Sequence, residues 1–153
     1  MHGDTGMFEL NPLSHQFWNE IALSLLCGVI VGIEREIRGK PVGLRTCILI
    51  VLSTGMFVRL GIVLAGTEND PTRVLGQVVT GVGFLGAGVI IMRGQTLTGV
   101  TTASVVWTLA AIGSLIGAGQ GTAAISMAIV VCAVLLGLDR FERWMERFQR
   151  KED

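Results

Sequence analysis

The sequence predicts an all-α integral membrane protein of about five transmembrane helices, and three observations carry that prediction. Half of the 153 residues are hydrophobic and only 16% are charged, against about a quarter in a soluble domain. The charges cluster between apolar stretches, several of them near the roughly 18 residues or more that read as bilayer-spanning helices. Ten of the twelve Lys and Arg residues fall on one side of the membrane if there are five spans, as the positive-inside bias asks.

Residues 1–16 form an extracytoplasmic N-terminal segment without Lys or Arg. A secretory signal needs a basic start, so the first apolar stretch is expected to be retained. The first span covers 17–33, with Trp18 suited to the interface and Glu20 near the same end. A charged turn, 34–45, leads to the second span at 44–64. A polar loop, 65–73, holds Glu68, Asp70 and Pro71, and the third span follows at 74–92. A short loop, 93–99, the fourth span at 100–115, a tight turn at 117–121 and the fifth span at 122–138 complete the transmembrane domain, 17–138. The basic turn, Arg93 and the basic tail then share the cytoplasmic side, placing the N-terminus outside and the C-terminus inside. In the tail, 139–153, Phe141, Trp144, Met145 and Phe148 follow helical spacing opposite Arg140, Arg143, Arg147 and Arg150. That pattern predicts an amphipathic helix lying in the headgroup interface.

Several function classes have no support in the sequence. Net charge is zero, which argues neither for nor against nucleic acid, and no nucleic-acid partner is expected. Cys27, Cys47 and Cys132 form no ligand set and read as membrane-buried thiols. His2 and His15 have no neighbouring His or Cys. The string Gly81-Val82-Gly83-Phe84-Leu85-Gly86 matches a dinucleotide fingerprint, but it lies inside an apolar span rather than after a strand. Neither a nucleophile–base set nor a Walker motif is present, so the protein is expected not to be an enzyme.

The glycines are patterned for helix packing. Gly76, Thr80, Gly83 and Ala87 share one face of the third span, and Gly81 and Gly88 share another. Small faces let backbones approach closely in lipid, and two of them predict a central third helix and make a homo-oligomer plausible. Ser24, Gly28 and Gly32 give the first span a complementary surface, and Thr101, Ser104, Thr108 and Ala111 line one side of the fourth. A broken, Gly-rich transporter helix is the functional alternative. A weak repeat relates residues 38–46 to 93–102, each after a Gly-Val-Ile segment. It predicts two parallel hairpins whose turns meet at one cytoplasmic site.

The densest charged cluster is Glu34-Arg35-Glu36. Glu34 and Glu36 could hold a hard cation such as Mg²⁺; a salt-bridged turn explains the same residues, because Arg35, Arg38 and Arg45 compete for the carboxylates. Arg59, about five residues from the end of its span, is expected to snorkel. Gln77, Thr80, Thr101, Thr102, Ser104 and Thr108 could line a polar interior or bond between helices.

Three blocks in order carry a resemblance: Gly32-Ile33-Glu34-Arg35-Glu36 with Lys40-Pro41-Val42-Gly43-Leu44-Arg45-Thr46; Gln77 to Ile90, with Thr80, Gly81, Gly83, Phe84, Gly86 and Gly88; and Thr98-Gly99-Val100-Thr101-Thr102-Ala103 with Trp107 and Gly113. Together they resemble the MgtC/SapB membrane protein family. The resemblance implies a bacterial inner-membrane protein linked to magnesium-limited growth and, in pathogens, to survival inside host cells. It implies either a regulator of other membrane proteins, with P-type cation pumps and the proton-driven ATP synthase as partners, or a small Mg²⁺ or other cation transporter. Cys47 stands where the family often has His. Longer relatives carry a soluble cytoplasmic domain after the fifth helix, and with the sequence ending at Asp153 that domain is expected to be absent here.

Overall fold

A computed structural model describes residues 11–65, 70, 72–93 and 95–149 of the chain, the side chains of 93 and 139–149 excepted. Among the described residues five helices and one hairpin follow in order: α1 (His15–Ile37), α2 (Leu44–Ala65), α3 (Thr72–Gly88), β1 (Ile91–Arg93), β2 (Thr96–Thr98), α4 (Val100–Gly117) and α5 (Gly121–Gln149). The helices run up and down, so one end of the bundle collects the α1–α2 turn, the hairpin and the start of α4. This is called the Arg35 end. The opposite, Glu20 end collects the α2–α3 and α4–α5 connections.

Local chemistry explains the helix boundaries. Ser14 caps α1 by accepting a hydrogen bond from the Phe17 N–H at 3.2 Å. At the far end, Lys40 N–H donates to Arg35 O and Gly39 N–H to Glu36 O, both at 3.0 Å, with Gly39 at φ 60°. This is a Schellman stop. Gly119 closes α4 the same way, with bonds from Gln120 to Leu115 and from Gly119 to Ile116. Asp70 anchors the start of α3, accepting from the Thr72 N–H at 2.9 Å and the Thr72 hydroxyl at 2.6 Å. These two bonds hold its carboxyl below the usual range.

Helices α1, α2, α4 and α5 are long and apolar enough to cross a membrane. Helix α3, 17 residues and about 26 Å, links the two ends. The charged turn expected at 34–45 is shorter than that, because Glu34, Arg35 and Glu36 still belong to α1. The third span, expected to reach residue 92, stops at Gly88. Val89 and Ile90 form turn bonds to Gly86 and Ala87, both at 3.2 Å. Ile91 and Met92 then pair with Thr98 and Leu97. Backbone polar groups that leave the helix are thereby satisfied in a two-stranded hairpin rather than in a loop. Helix α5 continues unbroken into the tail, and the side chains that define the tail's amphipathic face lie outside the described residues.

The central helix is α4, not α3. It packs on α1, α2, α3 and α5, burying Thr102, Val106, Leu109, Ile112 and Gly113 among others. Helix α3 buries only Val82 and Gly86 among its described residues. The α1 seam of Ser24, Gly28 and Gly32 does meet α2. A methyl group on Gly28 would lie 2.6 Å from Ile48 Cα, and one on Gly32 would lie 2.9 Å from Leu44 Cα. A second seam joins α2 to α4, where a methyl on Gly113 would stand 2.8 Å from Thr54 Cβ. By contrast Gly76, Gly81, Gly83 and Gly88 have nothing within 4 Å, and Ala87 is exposed. Within this chain α3 therefore does not pack through Gly76, Gly83 and Ala87. Its small faces point outward because only one side of the helix reaches α4 and α2.

This contrast is testable by thermal unfolding in detergent. Gly28→Ala forces two backbones apart and is expected to destabilise by about 1–3 kcal/mol. Gly76→Ala and Gly83→Ala meet open space and are expected to be neutral or to gain up to about 1 kcal/mol from helix propensity.

Candidate functional site at the Arg35 end

Successive residues of a helix are rotated by about 100°, so Glu34, Arg35 and Glu36 leave the helix in different directions. Each has a separate partner. Glu34 Oε1 pairs with Arg38 Nε at 2.7 Å, one turn along the same helix. Arg35 points into the bundle and donates from Nη2 to Thr102 Oγ1 of α4 at 2.6 Å. Glu36 points to α2 and accepts from the Leu44 N–H at 2.9 Å, satisfying one open donor at that helix start. A side chain at Gly43 would run into this Glu36 carboxylate. The two carboxylates expected to share a Mg²⁺ ion thus have separate protein partners, Glu34 Oε1 at Arg38 and Glu36 Oε2 at the Leu44 N–H, while Glu34 Oε2 is buried without a hydrogen-bond partner. Among the described residues no cluster of three His, Cys, Asp or Glu residues could hold a metal ion.

The structure instead builds a cavity of about 510 Å³ at this end. Glu34, Arg35 and Lys40 line one side, Gly99, Thr101 and Thr102 another, and Leu135 and Leu138 of α5 a third. Glu34 is 6% exposed and Arg35 1%. The two repeated segments, 38–46 and 93–102, thus meet at the same end, as the repeat predicts. Their backbones differ: the first is a helix stop and turn, the second a β-hairpin closed by Gly99 at φ 89°. A side chain at Gly99 would also collide with Val89 O.

Other motif residues lie elsewhere. Arg45 and Thr46 are exposed, as are Gln77, Thr80, Gly81, Gly83 and Phe84 of α3, with Gly83 bordering a groove against α4. Gly86 faces Ala103 of α4, where a methyl would stand 3.8 Å from its Cβ. Trp107 is half-exposed. The expected polar interior reduces to Thr102. The hydroxyls of Thr80, Ser104 and Thr108 bond back to their own helices at Gly76, Val100 and Ser104. Cys47 is fully buried, with Sγ 3.9 Å from Val42 O.

Sequence reasoning missed a second polar centre at the Glu20 end. Arg59 does not snorkel; it is 2% exposed and forms an ion pair and hydrogen bond with Glu20 across α1 and α2. A signal was available. Glu20 lies five positions after His15 and Arg59 six before Ala65, so antiparallel packing places them at the same depth.

A model of the MgtC family matches residues 21–144. The chain belongs to the MgtC family. It is 34% identical over 146 residues to an uncharacterized protein of Haemophilus influenzae, covering 90% of this chain and 61% of that one. It is 41% identical over 122 residues to the "Putative magnesium transporter YhiD" of Escherichia coli K12, covering 75% and 56%. It is 39% identical over 114 residues to "Protein MgtC" of Brucella abortus, covering 74% and 48%. The chain spans about half to three-fifths of the length of these relatives. No solved structure matches it. Its apolar helices and these relatives make this MgtC-family chain a multi-pass bacterial membrane protein.

Two outcomes test the polar centres. Arg59→Ala leaves Glu20 buried without its cation and is expected to cost about 3–5 kcal/mol, whereas a Glu20→Met, Arg59→Met double variant should lose less; thermal unfolding of both in one detergent decides it. Thr102→Val removes the acceptor of Arg35 and is expected to cost about 1–3 kcal/mol, read by the same unfolding assay.

Proposed function

We propose that this chain is a non-enzymatic regulator or accessory factor in magnesium and wider cation homeostasis, set in the bacterial inner membrane with the N-terminus outside and the C-terminus in the cytoplasm. The observation that carries this reading is the layer between the two polar centres. Glu20 and Glu34 lie fourteen residues apart on α1, about 21 Å. Between those depths Cys27, Val31, Val51, Val106, Leu109 and Ile112 are closely packed and at most 2% exposed. Buried charges are confined to Glu20, Glu34, Arg35 and Arg59 among the described residues. Among the described residues the buried polar side chains at these depths are Ser24, whose hydroxyl bonds back to Glu20 O at 2.8 Å, and Thr54, so a hydrated ion would find no charged station across this layer.

The open small-residue face of α3 is the proposed partner surface. Gly76 and Gly83 there would let another membrane helix approach closely: a P-type cation pump, an ATP synthase subunit or another copy of this chain. The second reading is a small Mg²⁺ or other cation transporter or channel, favoured by the name of the Escherichia coli relative.

Proteoliposomes loaded with a Mg²⁺-sensitive dye, and a parallel Na⁺ assay, separate the two readings. Flux indistinguishable from protein-free vesicles is expected. Flux that Glu34→Ala abolishes while helicity and unfolding temperature are retained would replace the regulator by the transporter.

A further inference from the structure

We propose that the cavity at the Arg35 end binds the phosphoethanolamine headgroup of a membrane phospholipid. The first support is the start of α4, an 18-residue helix whose N-cap is Gly99 and which has no side-chain cap. Its first-turn N–H groups and its dipole favour an anion. The crowding of Gly99 against Val89 O builds this uncapped state into the backbone, since no Ser or Asp fits there.

The second support is independent of the helix end. Arg35 is 1% exposed and lines the cavity, and its Nε is buried without a hydrogen-bond partner. Lys40 lines the same wall. Guanidinium, ammonium and helix N-terminus together supply what a phosphate group needs.

Glu34 rules against a simple anion. It lines the same cavity, and while Oε1 is paired with Arg38, Oε2 is buried without a partner. Buried polar atoms left in this state are costly. A bare phosphate would repel this oxygen, and a bare divalent cation would be repelled by Arg35 and Lys40. A ligand carrying both a phosphate and a primary ammonium answers all three groups. The remaining wall settles the source as lipid. Val89, Val134 and Leu138 make it apolar, and Leu138 is 57% exposed, so the cavity opens onto surface suited to an acyl chain.

The test is native mass spectrometry of the full chain in detergent, titrated with phosphatidylethanolamine, phosphatidylcholine and phosphatidylglycerol of identical acyl chains. Phosphatidylethanolamine is expected to be retained roughly tenfold over phosphatidylcholine, whose methylated nitrogen has no N–H to donate. Lys40→Ala, at an exposed position, should lower retention of all three lipids several-fold without affecting folding. Glu34→Gln should erase the preference for ethanolamine over choline while leaving phosphatidylglycerol bound. Equal retention of the ethanolamine and choline lipids by the native chain overturns the proposal, as does a preference that survives Glu34→Gln. Stronger retention of phosphatidylglycerol would make this an anion site alone, and displacement of lipid by millimolar inorganic phosphate would make free phosphate the occupant; either result also overturns it. If Glu34→Gln does not fold, the native selectivity and Lys40→Ala decide the matter.

Discussion

The bundle depends on how closely the backbones of α1, α2 and α4 can approach in a medium that gives apolar side chains no reason to cluster. Lipid is as apolar as leucine, so dispersion contacts and internal polar pairs must hold the helices together. Gly28 and Gly32 set the α1–α2 distance, and Gly55, Gly113 and Gly117 set the α2–α4 distance. With those seams closed, Cys27, Val31, Val51, Val106 and Leu109 meet in one buried apolar layer. A Cβ at any of these glycines would press on a neighbouring backbone or on Cβ atoms close to it, which cannot swing away.

The same closeness fixes where charge can be buried. Arg59 reaches Glu20 because α1 and α2 are antiparallel and nearly in contact. Arg35 reaches Thr102 because α4 lies against α1 at the other end. Each charged residue thereby finds an internal partner in place of water, as membrane depth demands. The two centres act as clamps at opposite ends of the apolar layer, and their separation leaves the middle of the bundle without buried charged residues among the described residues.

Glu34-Arg35-Glu36 shows how much a compact motif can conceal. Read as a string, it offers two carboxylates to one cation. On a helix, the three side chains diverge: one to its own helix, one to α4 and one to the start of α2. The residue between the carboxylates is the most buried of the three. It joins the motif of α1 to the Thr98–Thr102 segment, so two blocks far apart in the chain line one cavity. Both blocks lie within residues 21–144 matched by the family model, and the geometry gives them a common physical task at one end of the bundle.

Much of the fold was legible in the chain itself. Apolar length and charge position marked the spans, because bilayer thickness and the cost of buried charge act locally along the sequence. The Ser24, Gly28 and Gly32 seam was legible for the same reason, being a helical repeat within one segment. The site was only partly legible. Glu34, Arg35, Lys40, Gly99 and Thr102 stood out as motif residues, but not the divergence of Glu34 from Glu36. Small faces look alike whether they pack or stay open, so the sequence could not say that α4 rather than α3 is central. It put Glu20 and Arg59 at one depth but could not say that they face each other, nor join Arg35 to Thr102. Those contacts depend on which helices become neighbours and at what rotation, and that was decided only by the tertiary packing of all five.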